Sequence, residues 1–271
     1  MRKKIYARFP EGREKALTFS YDDGVIQDKR FVKLLNDHGM KGTFNINTGL
    51  CGTGRHMSEE EIRELFADGR HEVAVHMLTH AHPEELPPVG ITHEVLTDRV
   101  NLEHMFGGIV RGMAYPYGNF GDKTVAVLQS CGIAYARTTV CTGKFEIPTD
   151  WLRLPATCKH TDPRLMDLAK AFVEFKTPDK PRMFYLWGHT YEFDDSDNWN
   201  VIEEFMDFMG GREDTIWYAT NIEIYDYMRD YRRLEFSADC EVVQNPTART
   251  LWLSSGGEVR SIAPGEVVSL A

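Results

Sequence analysis

The chain has 271 residues, of which 42% are hydrophobic and 27% are charged, and this composition supplies a substantial core and predicts a globular protein. The net charge of -10 disfavours nucleic acids and anionic membrane surfaces as partners, and no basic run reverses that charge locally. No stretch approaches the ~20 apolar residues of a membrane span, and the N-terminus lacks the apolar region of a secretion signal. We therefore expect a cytoplasmic protein.

Short apolar runs alternate with helical patterns over most of the chain. The predicted strands are 16–21, 42–47, 72–75, 112–117, 133–138, 183–187 and 216–219. The predicted helices are 28–38, 58–66, 92–106, 122–128, 162–173, 199–209 and 221–228. Six or more such alternations without a linker favour one parallel sheet in an α/β fold, and their number suits a closed barrel.

The pattern changes from about Leu234, where short β-like runs are separated by Asn-Pro, Gly-Gly and Pro-Gly turns. These residues predict a small antiparallel meander, which is too short to fold well alone and is expected to dock on the barrel. The predicted domains are therefore 1–233, the barrel, and 234–271, a small β appendage.

Asp22 and Asp23 end the first predicted strand, and Gly24 after them allows a sharp turn. Asp-Asp-Gly is also common in solvated turns, and this segment alone favours that interpretation. Adjacent carboxylates that end an apolar strand repel each other unless a cation or hydrogen-bond donors compensate. A metal ion would provide that compensation.

His76 and His80 directly follow the predicted strand 72–75. Two histidines at this spacing face the same side if the chain turns helically, and neutral imidazoles suit zinc or another divalent transition metal. A chance pair is not rare among ten histidines. Because strand ends converge at one face of a parallel barrel, Asp23 and the two histidines can meet there.

These segments and three later ones occur in the order found in the polysaccharide deacetylase (NodB-homology) family, carbohydrate esterase family 4, which residues 15–230 resemble. The ordered combination is far more specific than any single motif. The matching segments are Tyr21-Asp22-Asp23-Gly24, His76-Met77-Leu78-Thr79-His80, Ala114-Tyr115-Pro116-Tyr117-Gly118, Asp150-Trp151 and Leu186-Trp187-Gly188-His189.

The resemblance implies a distorted (β/α) barrel of about seven strands and a metal-dependent hydrolase that removes N- or O-linked acetyl groups from a carbohydrate. It implies that Asp23, His76 and His80 hold one divalent ion, for which zinc is favoured. It also implies a general base, a backbone donor to the oxyanion and a general acid, which are Asp22, Tyr117 and His189. Residues expected to contact an acetylated sugar are Tyr115, Trp151 and Trp187.

Each of the later assignments has a plainer alternative. Tyr115 and Tyr117 could be core aromatics, Asp150-Trp151 could match by chance, and Gly188-His189 could be an exposed turn. The position where the family usually has an arginine is Ala114, so the cation that steadies the base is missing from its usual place. Arg137, at the end of the strand predicted at 133–138, could replace it.

Two other functions remain open at this stage. The fold also occurs in proteins that resemble allantoinases and cyclic-imide hydrolases, which open small nitrogenous rings. A catalytically silent carbohydrate-binding protein is the third possibility, although a complete ligand set with an intact base argues against it.

Overall fold

The computed structural model describes residues 4–176 and 180–270. Its strands are β1 (Ile5–Arg8), β2 (Lys15–Asp22), β3 (Thr43–Ile46), β4 (Glu72–Val75), β5 (Gly112–Ala114), β6 (Tyr135–Cys141), β7 (Leu154–Ala156), β8 (Cys158–Lys159), β9 (Arg182–Gly188), β10 (Ile216–Tyr218), β11 (Glu235–Phe236), β12 (Val242–Gln244), β13 (Leu251–Ser255), β14 (Glu258–Ile262) and β15 (Val267–Ser269). Its α-helices are α1 (Asp28–Asp37), α2 (Glu59–Leu65), α3 (Pro88–Phe106), α4 (Asp122–Ser130), α5 (Leu165–Glu174), α6 (Tyr191–Asp195), α7 (Trp199–Met209) and α8 (Asn221–Tyr231).

A parallel sheet forms the centre of the fold. Its strands follow the order β7-β6-β5-β4-β3-β2-β9-β8, and β10 pairs with the start of β2. Only Thr157 separates β7 from β8, so the segment 154–159 pairs with β6 where it begins and with β9 where it ends. This segment therefore closes the sheet into a barrel of about seven strands, as predicted.

Alternation along β2 separates two environments, because successive side chains of a strand point to opposite faces. Phe19 faces the surrounding helices and packs edge-on against Phe31 of α1 and Phe205 of α7. Thr18 and Asp22 face the barrel interior, where Thr18 Oγ1 donates a hydrogen bond to Asn221.

The interior contains two sets of polar side chains. The lower polar layer consists of Thr43, Glu72, Tyr135 and Asn221, in which Thr43 and Tyr135 both donate to the Glu72 carboxylate. The upper polar layer consists of Asp22, Asn45 and Arg137, and it lies nearer the carboxyl ends of the strands. The two layers share a barrel but differ in charge.

Several predicted elements agree closely with the structure, including the strand at 72–75, the helix at 199–209 and the Ser58–Glu61 capping box that begins α2. The strand predicted at 112–117 ends at Ala114, because Pro116 begins a 3-10 turn. The predicted cap Asn221 is instead the first residue of α8, and Thr220 caps that helix. The helix predicted from Asp162 begins three residues later, at Leu165.

The C-terminal segment forms antiparallel strands as predicted, but in two small sheets. One has the order β11-β12-β15, and the other has the order β1-β13-β14. Residues 5–8 therefore pair with the C-terminal segment, so the predicted boundary at 233 separates strands that share a sheet. No helix in the described residues is long and apolar enough to cross a membrane.

Candidate active site

The chain reverses direction at the end of β2, and this turn separates two adjacent carboxylates. Asp23 has φ +82° and Gly24 has φ +65°, both in the left-handed region. Asp tolerates that region better than most residues, and glycine occupies it without strain. As a result, Asp22 points into the barrel and is 2% exposed, whereas the side chain of Asp23 faces the rim.

His76 and His80 lie on the loop that follows β4. The loop is not helical as the spacing suggested, because Met77 and His80 both have positive φ. The turn nevertheless brings both rings to Asp23: its Oδ1 lies 3.6 Å from His76 Nε2 and 3.5 Å from His80 Nε2. Asp98, from α3, accepts the His76 backbone N–H and fixes the start of the loop.

The donor set of Asp23, His76 and His80 fits a divalent ion. Its three ligand atoms lie within 4.8 Å of one another, and a tetrahedral zinc site would require separations of about 3.4 Å. His76 Nδ1 lies 2.8 Å from the carbonyl oxygen of Ala114, which can only accept, so Nδ1 carries the proton and Nε2 has a free lone pair. Burial lowers the pKa of both histidines, which favours the neutral rings that a metal needs.

Asp22 lies beside the donor set in an environment that keeps it ionised. Arg137, itself fully buried, donates from Nη2 to Asp22 Oδ2, and Asn45 donates to Oδ1 over 2.9 Å. Burial alone would raise the pKa of Asp22, but the Arg137 guanidinium together with His76 and His189 outweighs burial and holds that pKa below its usual value. The structure thus brings Arg137 to the carboxylate that it was predicted to accompany.

His189 follows β9 and faces the same carboxylate. Its Nε2 lies 3.7 Å from Asp22 Oδ2, and its ring lies 5.9 Å from that of Trp187. Burial lowers the pKa of His189, but the carboxylates of Glu192 and Asp22 outweigh that effect and raise the pKa above its usual value. The ring therefore holds a proton more strongly than an isolated imidazole does.

Tyr117 lies at the rim of the site. It is 59% exposed, has φ +58° and contacts His80 edge-on at 4.4 Å, while its ring stacks on His82 at 3.8 Å. Its backbone N–H has no hydrogen-bond acceptor among the described residues. A donor of this kind at the rim is free to bind a substrate oxygen.

The three aromatic residues expected to bind substrate are placed differently from one another. Trp187 is buried, at 7% exposed, but it lies beside the upper polar layer, with its ring 4.4 Å from the Arg137 guanidinium carbon. Tyr115 is buried, stacks on Phe120 and donates to the Leu152 carbonyl. Trp151 is 8% exposed and packs edge-on against Tyr225. Tyr115 and Trp151 are thus core residues, and the structure does not bring them to the Asp–His cluster.

The sequence interpretation missed two polar residues of the site. Asn45 is an inward-facing residue of β3, and its position in the alternation 42–47 was the available signal. Glu192 lies three residues after His189, a spacing that places both on one face of a helical turn. Asp150 of the Asp150-Trp151 pair accepts hydrogen bonds from Arg153 and from the Leu152 N–H.

Comparison with known proteins shows a family to which part of the chain is similar. The sequence model of the family described as Polysaccharide deacetylase matches residues 10–136, which include Asp22, Asp23, His76 and His80. The matched segment, just under half of the chain, is similar to this family. It is 24% identical over 127 residues to the Bacillus subtilis protein YxkH, which is named as a polysaccharide deacetylase; the alignment spans 46% of this chain and 45% of that protein.

Solved structures show the same fold at low identity. A structure from Mycobacterium smegmatis, titled as a polysaccharide deacetylase, has a TM-score of 0.60 at 16% identity and covers 83% of this chain and 93% of its own. A pseudoenzyme of carbohydrate esterase family 4 from Bacillus anthracis has a TM-score of 0.50 at 15% identity, with 83% and 70% covered. Because this fold also occurs in a pseudoenzyme, an activity has to be argued from the site.

Proposed function

We propose that this chain is a metal-dependent hydrolase that removes N- or O-linked acetyl groups from a carbohydrate. The observation that carries the proposal is the position of Asp22 Oδ2, which faces both His76 Nε2 at 3.8 Å and His189 Nε2 at 3.7 Å. A carboxylate kept ionised and an imidazole kept protonated are thus held beside a metal-ligand set. This pairing is what acyl transfer to water requires.

The proposed ligands are Asp23, His76 and His80, and zinc is the favoured ion. A divalent ion in this set would supply Lewis acidity toward a water molecule and the acyl oxygen. The Asp22 carboxylate accepts the proton of the attacking water, and Arg137 with Asn45 holds it ionised and oriented. The roles of base and ligand thus fall to neighbouring residues because the turn at 23–24 points them apart.

The other two proposed roles stabilise charge as the bond to the acyl carbon breaks. The Tyr117 N–H donates to the acyl oxygen while negative charge develops on it. His189 Nε2 donates its proton to the departing nitrogen or oxygen, so that an amine or alcohol leaves with acetate as the other product. Trp187, the aromatic residue beside Arg137, is proposed to contact the sugar.

The test measures metal content and substrate range together. The purified protein is assayed for divalent ions and for acetate release from an N-acetylated amino-sugar oligomer and an O-acetylated sugar, with a cyclic imide as a third substrate. We expect about one zinc per chain and acetate release. Ring opening without acetate release would instead support the imide hydrolase, and metal binding without any turnover would support a silent binding protein.

Two variants separate the neighbouring carboxylates. Asp22→Asn should retain the ion and lose turnover by ~100-fold to ~10,000-fold, because only the base is removed. Asp23→Asn should lose metal affinity as well, since a ligand is removed. Equal metal loss in both variants would overturn the assignment of Asp22 as the base.

A further inference from the structure

Glu192 lies in the short helix α6 that directly follows the His189 loop. Lys159 Nζ donates to its Oε1 over 2.6 Å. Its other oxygen, Oε2, lies 3.1 Å from His160 Nε2 and 3.5 Å from His189 Nδ1. The Glu192 carboxylate therefore accepts a hydrogen bond from Lys159 on one oxygen, and its other oxygen faces two imidazoles.

The atoms that converge at Glu192 Oε2 are buried and have no other partner. Neither Oε2 nor His189 Nδ1 makes a hydrogen bond of normal geometry to another side chain in the described ranges, and the same holds for both ring nitrogens of His160. A buried imidazole nitrogen without a partner is costly, and Glu192 Oε2 is the acceptor within reach of His189 Nδ1. The His189 ring thus lies between two carboxylates, with Glu192 at Nδ1 and Asp22 at Nε2.

Neighbouring residues fix this arrangement from both sides. Gly188 approaches His160 so closely that a Cβ there would lie 2.0 Å from His160 Nδ1, so only glycine allows this packing. The His160 N–H donates to the Trp187 carbonyl, and Thr190 Oγ1 donates to the buried Asp28 carboxylate over 2.6 Å. The loop that carries His189 is therefore anchored to β8 and to α1.

We propose that Glu192 is the positioning residue for His189. It accepts the Nδ1–H of the ring and so directs Nε2–H toward Asp22 and the reacting atoms, while Lys159 and His160 hold the Glu192 carboxylate in place. The catalytic part of this inference rests on the proposed function. The positioning carboxylate thus comes from the residue three places after the proposed acid.

The kinetic test compares two leaving groups in the metal-loaded protein. Glu192→Gln should lower kcat/KM for an N-acetyl sugar amide by ~10-fold to ~100-fold and change kcat/KM for an activated aryl acetate by less than about 3-fold, because a phenolate leaves without an acid. The matched control is Asp195→Asn, which removes an equal charge from the same helix at an exposed side chain paired with Arg55. It should leave both values unchanged.

A double variant tests whether Glu192 acts through His189. If it does, Glu192→Gln should have no further effect in a His189→Ala background. A loss that persists in that background, or parallel losses for the two substrates, would overturn the inference. If Glu192→Gln proves unfolded by thermal denaturation, Lys159→Gln removes the other partner of the carboxylate and should change the ratio of the two substrates in the same direction.

A third readout does not depend on activity. In protein labelled with 15N-histidine, the Nδ1 proton of His189 should give a downfield resonance that disappears in His189→Ala and shifts or exchanges rapidly in Glu192→Gln, but not in Asp195→Asn. An unchanged resonance in Glu192→Gln would overturn the inference. A changed resonance in a protein that hydrolyses no acetyl substrate would overturn the proposed function and leave the Glu192–His189 contact supported.

Discussion

The two polar layers of the barrel interior each contain a carboxylate, and the pKa values of these two carboxylates shift in opposite directions. Asp22 in the upper layer is paired with a guanidinium and has a lowered pKa. Glu72 in the lower layer is surrounded by neutral donors, the Tyr135 hydroxyl and the Thr43 hydroxyl among them, and burial raises its pKa to about 7. The difference comes from the charged neighbours of Asp22, of which Arg137 has the largest effect, since no cation in the described chain forms an ion pair with Glu72.

This comparison distinguishes a carboxylate that is proposed to act in catalysis from one that stabilises the fold. A carboxylate that must accept a proton has to be ionised at neutral pH, and inside a barrel this requires a buried counter-charge. The lower layer joins α8 to the strands, because the Ile222 N–H also donates to Glu72 and the Asn221 N–H donates to Thr43. It needs hydrogen-bond acceptors rather than charge, and a carboxylate whose pKa lies near neutrality serves that purpose.

The largest effect is expected from removing the counter-charge of the upper layer. Arg137→Met should destabilise the protein by about 3–5 kcal/mol at neutral pH, because Asp22 would remain buried without a cation. Urea unfolding measures the loss. The double variant Asp22→Asn/Arg137→Met should recover part of it, since it removes both charges. A loss below about 1 kcal/mol in Arg137→Met would show that Asp22 does not depend on this pair.

The lower layer can be disrupted without changing any charge. A Cβ at Gly112 would lie 2.2 Å from Tyr135 Oη and 2.7 Å from Glu72 Oε1. Gly112→Ala should therefore cost about 3 kcal/mol through overpacking. The proposed affinity for zinc should remain that of the wild type, because the proposed metal ligands lie at the other end of the barrel. Loss of zinc affinity in this variant would show that the two layers are coupled.

The contrast between these layers also shows what the sequence could predict. The alternation of apolar runs and the order of the motifs sufficed to predict the barrel and to place Asp22, Asp23, both histidines and Arg137 at the same end of it. Local order along the chain carries this information, because each residue lies at or near the carboxyl end of a predicted strand.

Contacts between distant segments were not predictable in the same way. The pairing of β1 with β13 joins residues 5–8 to residues 252–255, and the sequence pattern of neither segment indicates which segment it pairs with. The burial of Trp151 against Tyr225 depends on where α8 packs, which a dipeptide match cannot show. Glu192 was missed because its role depends on Lys159 and His160, which reach it across the gap between β8 and α6.

Of these two carboxylates, Glu72 is the one whose own titration makes stability depend on pH above pH 5. Its pKa is raised in the folded state, so its contribution to stability is complete below about 4.5 and is lost as pH rises toward about 7. This corresponds to at most about 3 kcal/mol, which partial exposure reduces to about 2 kcal/mol. In metal-free buffer, the difference in unfolding free energy between pH 5 and pH 8 should shrink by that amount in Glu72→Gln.

Asp22 differs from Glu72 in the pH range over which it titrates. Because its pKa is lowered, its contribution is present above the unfolded value of 3.8 and is lost only in more acidic solution. Its own titration therefore adds nothing to the difference between pH 5 and pH 8, and a change of that difference in Asp22→Asn would come from His76 and His189, whose pKa values Asp22 raises.

The smallest effect concerns the helix that the lower layer holds. Thr220 caps α8 in a capping box with Glu223, and Ser58 caps α2 in a box of the same kind with Glu61. Removing either cap with alanine should cost ~1 kcal/mol.

The two helices differ in their contacts, because the first N–H groups of α8 bond to Thr43 and Glu72 whereas α2 lies outside the barrel. If the lower layer positions α8, Thr220→Ala should lose less stability in a Glu72→Ala background than in the wild type, while Ser58→Ala should lose the same amount in both. Unfolding free energies of the single and double variants measure this coupling, and purely additive losses at Thr220 would show that the cap and the layer act independently.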